Sequence, residues 1–228
     1  MGDPFPLVSI VIVTYQRAEI LRRTIGGLLR HLSYVGPLEY VIADDGSTDE
    51  THGMINDLIG SGLEGRLIVS NRVGMGANTN AGLRAAFERT DIVLQLQDDM
   101  LLLQTLALTP HVQRLQSHAS DGFIRLWGIG GHRYTATLDE DYWRISWQSD
   151  ELYIPSDRPH LKTRRFVEST GWYPEGLPTA QTEDAYCHQA KNAARTGVVP
   201  AVLVPHAYDT ERNFEHLGWH TRWRDQGL

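Results

Sequence analysis

The feature that most constrains the fold is a series of short, almost uninterrupted apolar runs, each followed by polar residues. The four runs cover Leu7–Thr14, Leu38–Ala43, Arg66–Ser70 and Ile92–Gln97. Runs this rich in β-branched and aliphatic residues are typical of strands buried on both faces of a parallel sheet. Segments with helical periodicity separate them, so the order is βαβαβαβ. This order predicts an α/β fold with a mostly parallel sheet and helices on both faces.

The helices between these strands are indicated by apolar residues at helical spacing. We expect helices over Glu19–Leu32 and Ala77–Arg89, and further helices that begin at Ser47 and at Thr109. A serine followed three residues later by a glutamate is the capping-box pattern, which places the start of the second helix at Ser47. Pro110, at the first helical position, supports the start at Thr109.

The second half of the chain has a different pattern. The predicted elements are a strand over Phe123–Ile129, an antiparallel hairpin of Tyr134–Leu138 and Tyr142–Gln148, a strand over Lys162–Ser169, a helix capped by Thr182 that ends at Gly197, and a strand over Val198–Val204. Pro200 favours an edge or a bend for the last of these strands. We interpret residues 1–228 as one domain, with a small antiparallel element added to the parallel sheet.

Composition limits the location and the partners of the chain. The 228 residues include one cysteine, Cys187, so no disulfide can form within the chain, which fits a reducing compartment. No apolar run approaches the roughly 20 residues that cross a bilayer, and we find no leader pattern, so we expect a cytoplasmic protein. The net charge of −7 and the lack of a basic face argue against duplex nucleic acid as a partner. An oligomer is compatible with this composition.

Three polar clusters follow predicted strands at equivalent places. They are Thr14-Tyr15, Asp44-Asp45 and Asp98-Asp99. Ligands of open α/β sheets bind at the carboxyl ends of the strands, near the switch in strand order. The three clusters therefore predict one binding site at this edge of the sheet.

The pair Asp98-Asp99 indicates a metal. Adjacent carboxylates repel each other unless a cation or a proton is present, and Mg²⁺ and Mn²⁺ prefer oxygen ligands and often add substrate phosphates. An isolated Asp-Asp pair is more often a solvated turn, so the position at a strand end is what favours a metal site.

The other polar residues each have a structural and a functional interpretation. Tyr15 is suited to stacking on a nucleobase, which contributes roughly 1–3 kcal/mol, although a buried tyrosine is commoner. Asp44 and Asp45 can accept hydrogen bonds from a base or a ribose, or they can form a turn with Gly46. Asp184 lies at a predicted helix start, where the helix dipole favours an acid without any catalytic role.

Four segments, in this order, resemble motifs of the family 2 glycosyltransferases with the GT-A fold. They are VSIVIVTYQR at residues 8–17, VIADDGSTDET at 41–51, LQLQDDM at 94–100 and TED at 182–184. The resemblance covers residues 7–100 closely and residues 160–206 loosely. It implies a nucleotide-sugar-binding half, residues 1–100, and an acceptor-binding and catalytic-base half, residues 101–228.

The resemblance also implies a role for each matched residue. Asp184 would be the base that deprotonates the acceptor hydroxyl, and Asp99 and His206 would bind Mn²⁺ or Mg²⁺. The donor, a nucleotide diphosphate sugar that is UDP-linked in this family, would contact Thr14, Tyr15, Arg17, Asp44, Asp45, Asn78 and Asp98. Trp172, Tyr173 and Glu183 are candidates for contact with the acceptor, which would be a glycan, a lipid-linked molecule, a protein or a small molecule.

The sequence departs from the family pattern at three places. Gln97 replaces the first acid of the usual Asp-x-Asp metal motif, and Thr79-Asn80 replaces an Arg-Asn pair. Processive members carry Gln-x-x-Arg-Trp and membrane helices, whereas here Trp219 stands in the glutamine's place before Arg222-Trp223. We therefore expect the inverting transfer of single sugars.

Two other functions stay open. The same fold could serve as a non-catalytic nucleotide-sugar-binding or scaffold module, since a fold alone does not determine chemistry. A nucleotidyltransferase also needs carboxylates and a metal, but it would usually have a glycine-rich basic loop after the first strand, where residues 15–20 offer only Arg17.

Overall fold

The computed structural model describes residues 5–127, 133–209 and 213–217. The elements of the first half are β1 (Val8–Thr14), α1 (Ala18–His31), β2 (Leu32–Ser33), β3 (Leu38–Asp44), α2 (Thr51–Gly60), β4 (Gly65–Val69), α3 (Met75–Phe87) and β5 (Ile92–Gln97). The predicted strands of this half agree with the observed ones to within one residue at each end.

The second half is assembled from shorter elements. They are β6 (Met100–Leu102), β7 (Leu106–Ala107), α4 (Thr109–Ser117), β8 (Asp121–Arg125), β9 (Ala136–Asp139), β10 (Tyr142–Ile145), β11 (His160–Thr163), α5 (Arg164–Thr170), α6 (Thr179–Thr196), β12 (Ala201–Pro205), a 3₁₀ turn (His206–Asp209) and β13 (Phe214–His216).

One large mixed sheet organises the molecule. In the described parts of the chain its strand order is β4-β3-β1-β5-β11-β8-β12-β10-β9. The first four strands are parallel, and β11 is antiparallel to both of its neighbours, β5 and β8. The predicted hairpin β9–β10 joins the end of this sheet through β12, while β6 and β13 form a separate antiparallel pair. The predicted α/β class is confirmed.

The two faces of the sheet bury different side chains because successive residues of a strand point in opposite directions. Ile10 and Ile12 of β1 face a core shared with α1 and α2. Val11 faces a second core, which includes residues of α3 and α6. The α6 helix therefore packs on the face that also carries α3, and its first turn lies near the start of α3.

Several predicted boundaries are wrong for identifiable reasons. The second helix begins at Thr51, not Ser47, because the Ser47 hydroxyl accepts from the Gln16 amide and donates to Asp44. The last long helix begins at Thr179 after Pro178, and Thr182 lies inside its first turns instead of capping it. Of the predicted strand over residues 162–169, only the first two residues are a strand, because Thr163 accepts from the Phe166 amide and caps α5.

The remaining strand predictions are partly confirmed. The strand predicted over residues 123–129 ends at Arg125, and residues 128 and 129 lie outside the described ranges. The final long strand is Ala201–Pro205, so Pro200 precedes it and removes no sheet hydrogen bond. Trp219 and Arg222-Trp223 also lie outside the described residues. No helix in the described ranges has the length and apolar character needed to cross a bilayer.

Candidate active site

A crevice of about 470 Å³ lies at the carboxyl ends of β1, β3 and β5. The order β3-β1-β5 is the switch point of the parallel strands, since β3 and β5 lie on opposite sides of β1. The crevice is lined by six parts of the chain: Val13, Thr14, Tyr15 and Arg17 at the end of β1 and just after it; Asp45 after β3; Arg72, Gly74, Met75 and Asn78 before and at the start of α3; Gln97, Asp98 and Asp99 at the end of β5 and just after it; Thr179 of α6; and His216 of β13.

A larger cavity of about 680 Å³ lies near the amino ends of β1 and β5, and Arg89, Arg164 and Arg165 are among its lining residues. Its arginines are used to hold the fold together. Arg164 donates to Asp91 and to main-chain carbonyls, Arg165 donates to main-chain carbonyls, and Arg89 pairs with the buried Glu39. We therefore place the candidate active site at the smaller crevice.

Asp98 and Asp99 are almost completely buried at the floor of this crevice. Thr14 donates from Oγ1 to Oδ2 of Asp98 at 2.7 Å. One guanidinium nitrogen of Arg17 lies 3.0 Å from Oδ1 of Asp98 and 2.9 Å from Oδ2 of Asp99. Burial raises the pKa of Asp98 to about 6 against the opposing effect of Arg17. The carboxylate pair is thus neutralised in part by a cation of the chain itself.

His216 joins this carboxylate pair. Its Nε2 lies 3.7 Å from Oδ2 of Asp99. The contact follows from strand register, because β6 begins directly after Asp99 and pairs with β13, placing His216 opposite Met100. The amide of Leu217 also donates to the Asp99 carbonyl at 2.8 Å. Burial lowers the pKa of His216, which favours the neutral imidazole that can bind a metal.

These residues fit a divalent metal that is shared with a substrate. Oδ1 of Asp99 is buried and has no hydrogen-bond partner among the described residues, so it keeps lone pairs for a ligand. The described residues contain no group of three or more His, Cys, Asp and Glu side chains already arranged around one point. Mg²⁺ typically binds through one or two carboxylates plus substrate phosphates, and imidazole suits several transition metals. The residues present match this mode, with the phosphates supplying the other ligands.

Tyr15 lies at the side of the crevice beneath Arg72. The guanidinium carbon of Arg72 is 4.1 Å from the centre of the Tyr15 ring. Arg72 has a left-handed backbone (φ 56°), and its amide donates to the Asp45 carbonyl at 3.3 Å. The ring predicted to stack on a base is therefore covered by an arginine that sequence reasoning missed. Nothing in the sequence of residues 71–76 indicates which of them faces Tyr15.

The adjacent acids Asp44 and Asp45 have different surroundings. Asp44 is fully buried and accepts from the amides of Gly46 and Ser47, the Ser47 hydroxyl and Nε2 of His52. It does not line the crevice, so the structure does not bring it to the predicted position at the edge of a base. Asp45 lines the crevice and accepts from the amides of Val73 and Gly74, at 2.7 and 3.0 Å.

Two asparagines of α3 face different parts of the molecule. Asn78 lines the crevice and donates to the Ala43 carbonyl at 2.8 Å, while its buried Oδ1 has no partner within the described part of the chain. Asn80 points the other way and bonds the amide and carbonyl of Tyr173 as a strand neighbour would. Asn80, part of the Thr79-Asn80 pair that departs from the family pattern, thus has a structural role in holding the backbone of Tyr173.

Asp184 lies on α6, outside the crevice lining. Its Oδ1 accepts from the Tyr153 hydroxyl at 2.5 Å, and the side chain is half-buried. Thr179, five residues earlier and about 7.5 Å along the helix, does line the crevice. Glu183 turns away, and its Oε1 accepts from the Ser156 hydroxyl and the Asp157 amide. Glu183 is therefore bonded to residues 156 and 157, and Asp184 to Tyr153.

The aromatic acceptor candidates do not reach the crevice. Tyr173 is buried, stacks on Tyr186 at 4.1 Å, and bonds Asp157 and Gln95 through its hydroxyl. Trp172 packs against Phe87 at the far end of α3, about 18 Å along the helix from its first residue. The structure places both in the core behind the site, where they cannot stack on a sugar in the crevice.

His206 is also placed elsewhere. It follows β12, three strands from β5 and so about 14 Å across the sheet. Its ring packs on Trp143, with ring centres 5.6 Å apart, and its amide donates to Asp141. The histidine beside the carboxylate pair is His216, in the tail that sequence patterns left unassigned. The only signal for it would have been the pairing of its short strand with the residues after Asp99.

Comparison with known proteins agrees with this geometry. The sequence profile of the family described as "Glycosyl transferase family 2" matches residues 9–171. The chain belongs to glycosyl transferase family 2. The predicted family is thus confirmed, on a match that covers more than half of the chain.

Curated relatives of this family member match it over short stretches. Validoxylamine A glucosyltransferase of Streptomyces hygroscopicus subsp. jinggangensis (strain 5008) is 48% identical over 50 residues, which is 22% of this chain and 12% of that protein. Chondroitin synthase of Pasteurella multocida (strain Pm70) is 34% identical over 94 residues, which is 41% of this chain and 9% of that protein. The matched part is therefore an eighth or less of either relative.

Solved structures resemble the family member over nearly its whole length. TarS 1–349 of S. aureus, in complex with UDP-GlcNAc, has a TM-score of 0.64 at 18% identity and covers 92% of this chain and 60% of that one. The mannosyltransferase PcManGT of Pyrobaculum calidifontis, with GDP-Man and Mn²⁺, has a TM-score of 0.59 at 19% identity and covers 98% and 63%. These similarities show the GT-A fold.

Proposed function

We propose that this family 2 protein transfers a sugar from a nucleotide diphosphate donor to an acceptor hydroxyl, with inversion and with the help of a divalent metal. The observation that carries the proposal is the group of Asp98, Asp99 and His216 at the switch point of the sheet. In it, a buried oxygen of Asp99 is left without a hydrogen bond in the described structure. We propose residues 1–100 as the donor half of one domain and residues 101–228 as the acceptor half.

The donor is proposed to lie along the crevice with its nucleotide beside Tyr15 and its phosphates towards Asp99. Asp45 and Asn78 offer oxygens to hydroxyl or amide donors, and Thr14 orients Asp98. Arg17 and Arg72 supply positive charge on either side, so phosphate can displace their present contacts with Asp98, Asp99 and the Tyr15 ring. UDP is proposed as the nucleotide, since TarS has been solved with UDP-GlcNAc, although PcManGT was solved with GDP-Man.

Asp99 and His216, with Asp98, are the residues that would hold the metal. A bound Mn²⁺ or Mg²⁺ would neutralise the charge that develops on the departing diphosphate. Asp184 is proposed as the general base that takes the proton of the acceptor hydroxyl, and Tyr153 orients its carboxylate by donating to Oδ1. The acceptor oxygen then attacks the anomeric carbon from the face opposite the diphosphate, which inverts the configuration.

We propose single transfers in a reducing, cytoplasmic setting. The buried free thiol of Cys187 supports a compartment without disulfide formation. The sequence offers Trp219 where processive members carry glutamine. The acceptor is proposed to approach along α6, because Thr179 of this helix lines the crevice and Asp184 follows on its next turns.

A thermal-shift screen of nucleotide sugars with and without Mn²⁺ tests the donor and the metal, because a ligand that binds only the folded state raises its stability. We expect at least one donor to raise the melting temperature in a Mn²⁺-dependent way. Asp184→Asn should then lower transfer by about 10²–10⁴-fold while the donor-induced shift persists. Near-native turnover of this variant would show that another group is the base.

One observation favours a second function, a non-catalytic module that binds nucleotide sugars. Asp184 does not line the crevice, so the proposed base lies outside the cavity that would hold the donor. The two functions differ in donor hydrolysis: an enzyme releases nucleotide slowly from the bound donor in the absence of an acceptor, and Asp99→Asn stops this release. A module shows the same thermal shift but no release above the rate in buffer.

A further inference from the structure

Lys162 is completely buried behind the candidate active site. It lies on β11, between β5 and β8, and points to the sheet face on which α6 packs. Its Nζ has no hydrogen-bond partner among the described residues and lies 4.8 Å from the centre of the Tyr173 ring. An ammonium group in such a position has lost its hydration, which is costly unless polar atoms nearby replace the water.

Three acceptor atoms on other described side chains of this region also lack a hydrogen-bond partner. They are Oδ2 of Asp157, Oε1 of Gln95 and Nε2 of His160, each buried and each without a partner in the described structure. The other polar atoms of these side chains are bonded, as Tyr173 donates to Oδ1 of Asp157 and accepts from Nε2 of Gln95. Nδ1 of His160 lies 2.7 Å from the Arg158 carbonyl, so it carries the hydrogen and leaves Nε2 as an acceptor.

Strand register brings these atoms together. His160 lies opposite Gln95 in the β5–β11 pair, and Lys162 is two residues further along β11, so all three point to one face. An ammonium has three N–H donors, and there are three acceptors for them. Burial lowers the pKa of Lys162 to about 7 and raises that of Asp157 to about 7, while each charge favours the other. The titratable or charged side chains around the group are Arg125, Asp157, His160, Tyr173, Glu183, Tyr186 and Cys187.

The polar group is connected to the helix that carries the proposed base. The Asp157 amide donates to Oε1 of Glu183 at 2.9 Å, and the Ser156 hydroxyl donates to the same atom at 3.1 Å. One turn later, the Cys187 thiol donates to the Pro155 carbonyl at 2.9 Å. The segment over residues 155–157 is therefore attached to α6 on both sides of Asp184.

We propose that Lys162 and Asp157, with Gln95 and His160, form a buried site for ordered water that joins the two side chains and positions the turn of α6 carrying Asp184. Water is the ligand expected where a closed polar space offers both donors and acceptors, since buried waters typically make about three hydrogen bonds. Lys162 is thus a positioning residue that acts through Asp157 and Glu183. The kinetic part of this inference rests on the proposed function, and the spectroscopic part does not.

The spectroscopic test uses the fact that the chain has two lysines, Lys162 and Lys191. Protein labelled with ¹³C at lysine Cε gives two signals, and Lys191→Met assigns them. We expect the Lys162 signal to titrate near neutral pH, and Asp157→Asn to lower its midpoint by about one unit or more because the nearby anion is removed. A Lys162 midpoint that Asp157→Asn leaves unchanged overturns the proposed pair whether or not the protein is an enzyme.

The kinetic test compares Lys162→Met with Lys191→Met, a matched control on α6 whose Nζ bonds the carbonyls of Ser149 and Glu151. We expect Lys162→Met to lower kcat about tenfold or more with the donor KM within about twofold, because the base is displaced and the donor crevice is not. The double variant Lys162→Met/Asp157→Asn should be no slower than the slower of the two single variants. Each single variant already breaks the same connection from Lys162 through Asp157 to α6.

Some outcomes would contradict the positioning role of Lys162. Wild-type kcat in Lys162→Met, or losses that multiply in the double variant, exclude a shared positioning role. If Lys162→Met does not fold, Asp157→Asn carries the kinetic test alone, with Asp150→Asn on the neighbouring loop as its control. If the wild-type chain shows neither transfer nor donor hydrolysis, the proposed function fails while the lysine titration still decides the pair.

Discussion

Two acidic pairs lie at the ends of β3 and β5, the strands on either side of β1, and their first and last acids have different surroundings. At the end of β3, Asp44 accepts from two amides and a hydroxyl of the following turn and contacts His52 of α2. After β5, Asp99 accepts from the partly exposed side chain of Arg17 and keeps one buried oxygen without a partner in the described chain. Identical dipeptides thus differ in how many lone pairs remain for a ligand. Asp44 stabilises its own turn, and Asp99 keeps an oxygen that a ligand can use.

The largest expected effect is that of Asp99→Asn, which tests the binding pair. Because the variant removes the central anionic ligand, we expect transfer and donor hydrolysis to fall by about 10³-fold or more, with Mn²⁺ binding lost. Stability should be unchanged or slightly higher, since one buried charge is gone. Turnover, Mn²⁺ titration calorimetry and urea unfolding together check this. Strong Mn²⁺ binding in the variant would remove the distinction between the two pairs.

Asp44→Asn should lower the stability of the folded protein. An amide in place of the carboxylate turns a donor towards the amides of Gly46 and Ser47 and weakens the contact with His52, so we expect a loss of about 3 kcal/mol in the free energy of unfolding. Urea unfolding measures it, with Asp57→Asn on the exposed face of α2 as the control. A variant with native stability but no donor binding would return Asp44 to the role predicted from the sequence.

His216→Ala compared with His206→Ala sharpens the assignment of the metal histidine. Because only His216 lies beside Asp99, we expect its removal to weaken Mn²⁺ binding in the presence of nucleotide by about 10–100-fold. His206→Ala should leave that binding unchanged and alter only the packing on Trp143. Calorimetry on both variants at one nucleotide concentration decides between them, and the reverse ranking would contradict the placement of β13.

The smallest effect is expected for Arg17→Gln. Its guanidinium lies between Asp98 and Asp99, so it is a counter-ion that a metal has to replace. Without nucleotide, the variant should bind Mn²⁺ several-fold more tightly, since about 1 kcal/mol of competing ion-pair energy is removed from a partly exposed pair. Weaker binding in the nucleotide-free variant would show that Arg17 assists the metal instead of opposing it.

The sequence predicted best what depends on neighbouring residues. The strand Ile92–Gln97 was placed without error because apolar residues run up to two acids, and α4 was placed by its proline. The position of the crevice also followed, since strands of a parallel sheet end at one edge. Family membership was confirmed as well. The strand and helix predictions rest on residues next to each other in the chain, and the crevice rests on the rule that parallel strands end at one edge.

What the sequence did not predict depends on contacts between distant segments. His216 reaches Asp99 through a strand pair that joins residues more than 100 positions apart, and its three-residue strand is too short to show periodicity. Asp44 and Asp45 are indistinguishable in sequence, because only the path of the turn decides which faces inward. Lys162, in a strand of four residues, gives no sign in the sequence that its ammonium is buried beside Asp157 and the Tyr173 ring.

The pairing of β6 with β13 has a consequence for how the protein is made. The chain emerges from the ribosome from its amino end. The parallel strands, Asp98 and Asp99 therefore leave the ribosome long before the segment with His216. A nascent chain can therefore build the nucleotide side of the crevice early, yet it cannot complete the carboxylate–imidazole group until this late strand docks beside Met100. The proposed metal site therefore requires a segment that is synthesised more than 100 residues after Asp99, in which Phe214 also covers the core.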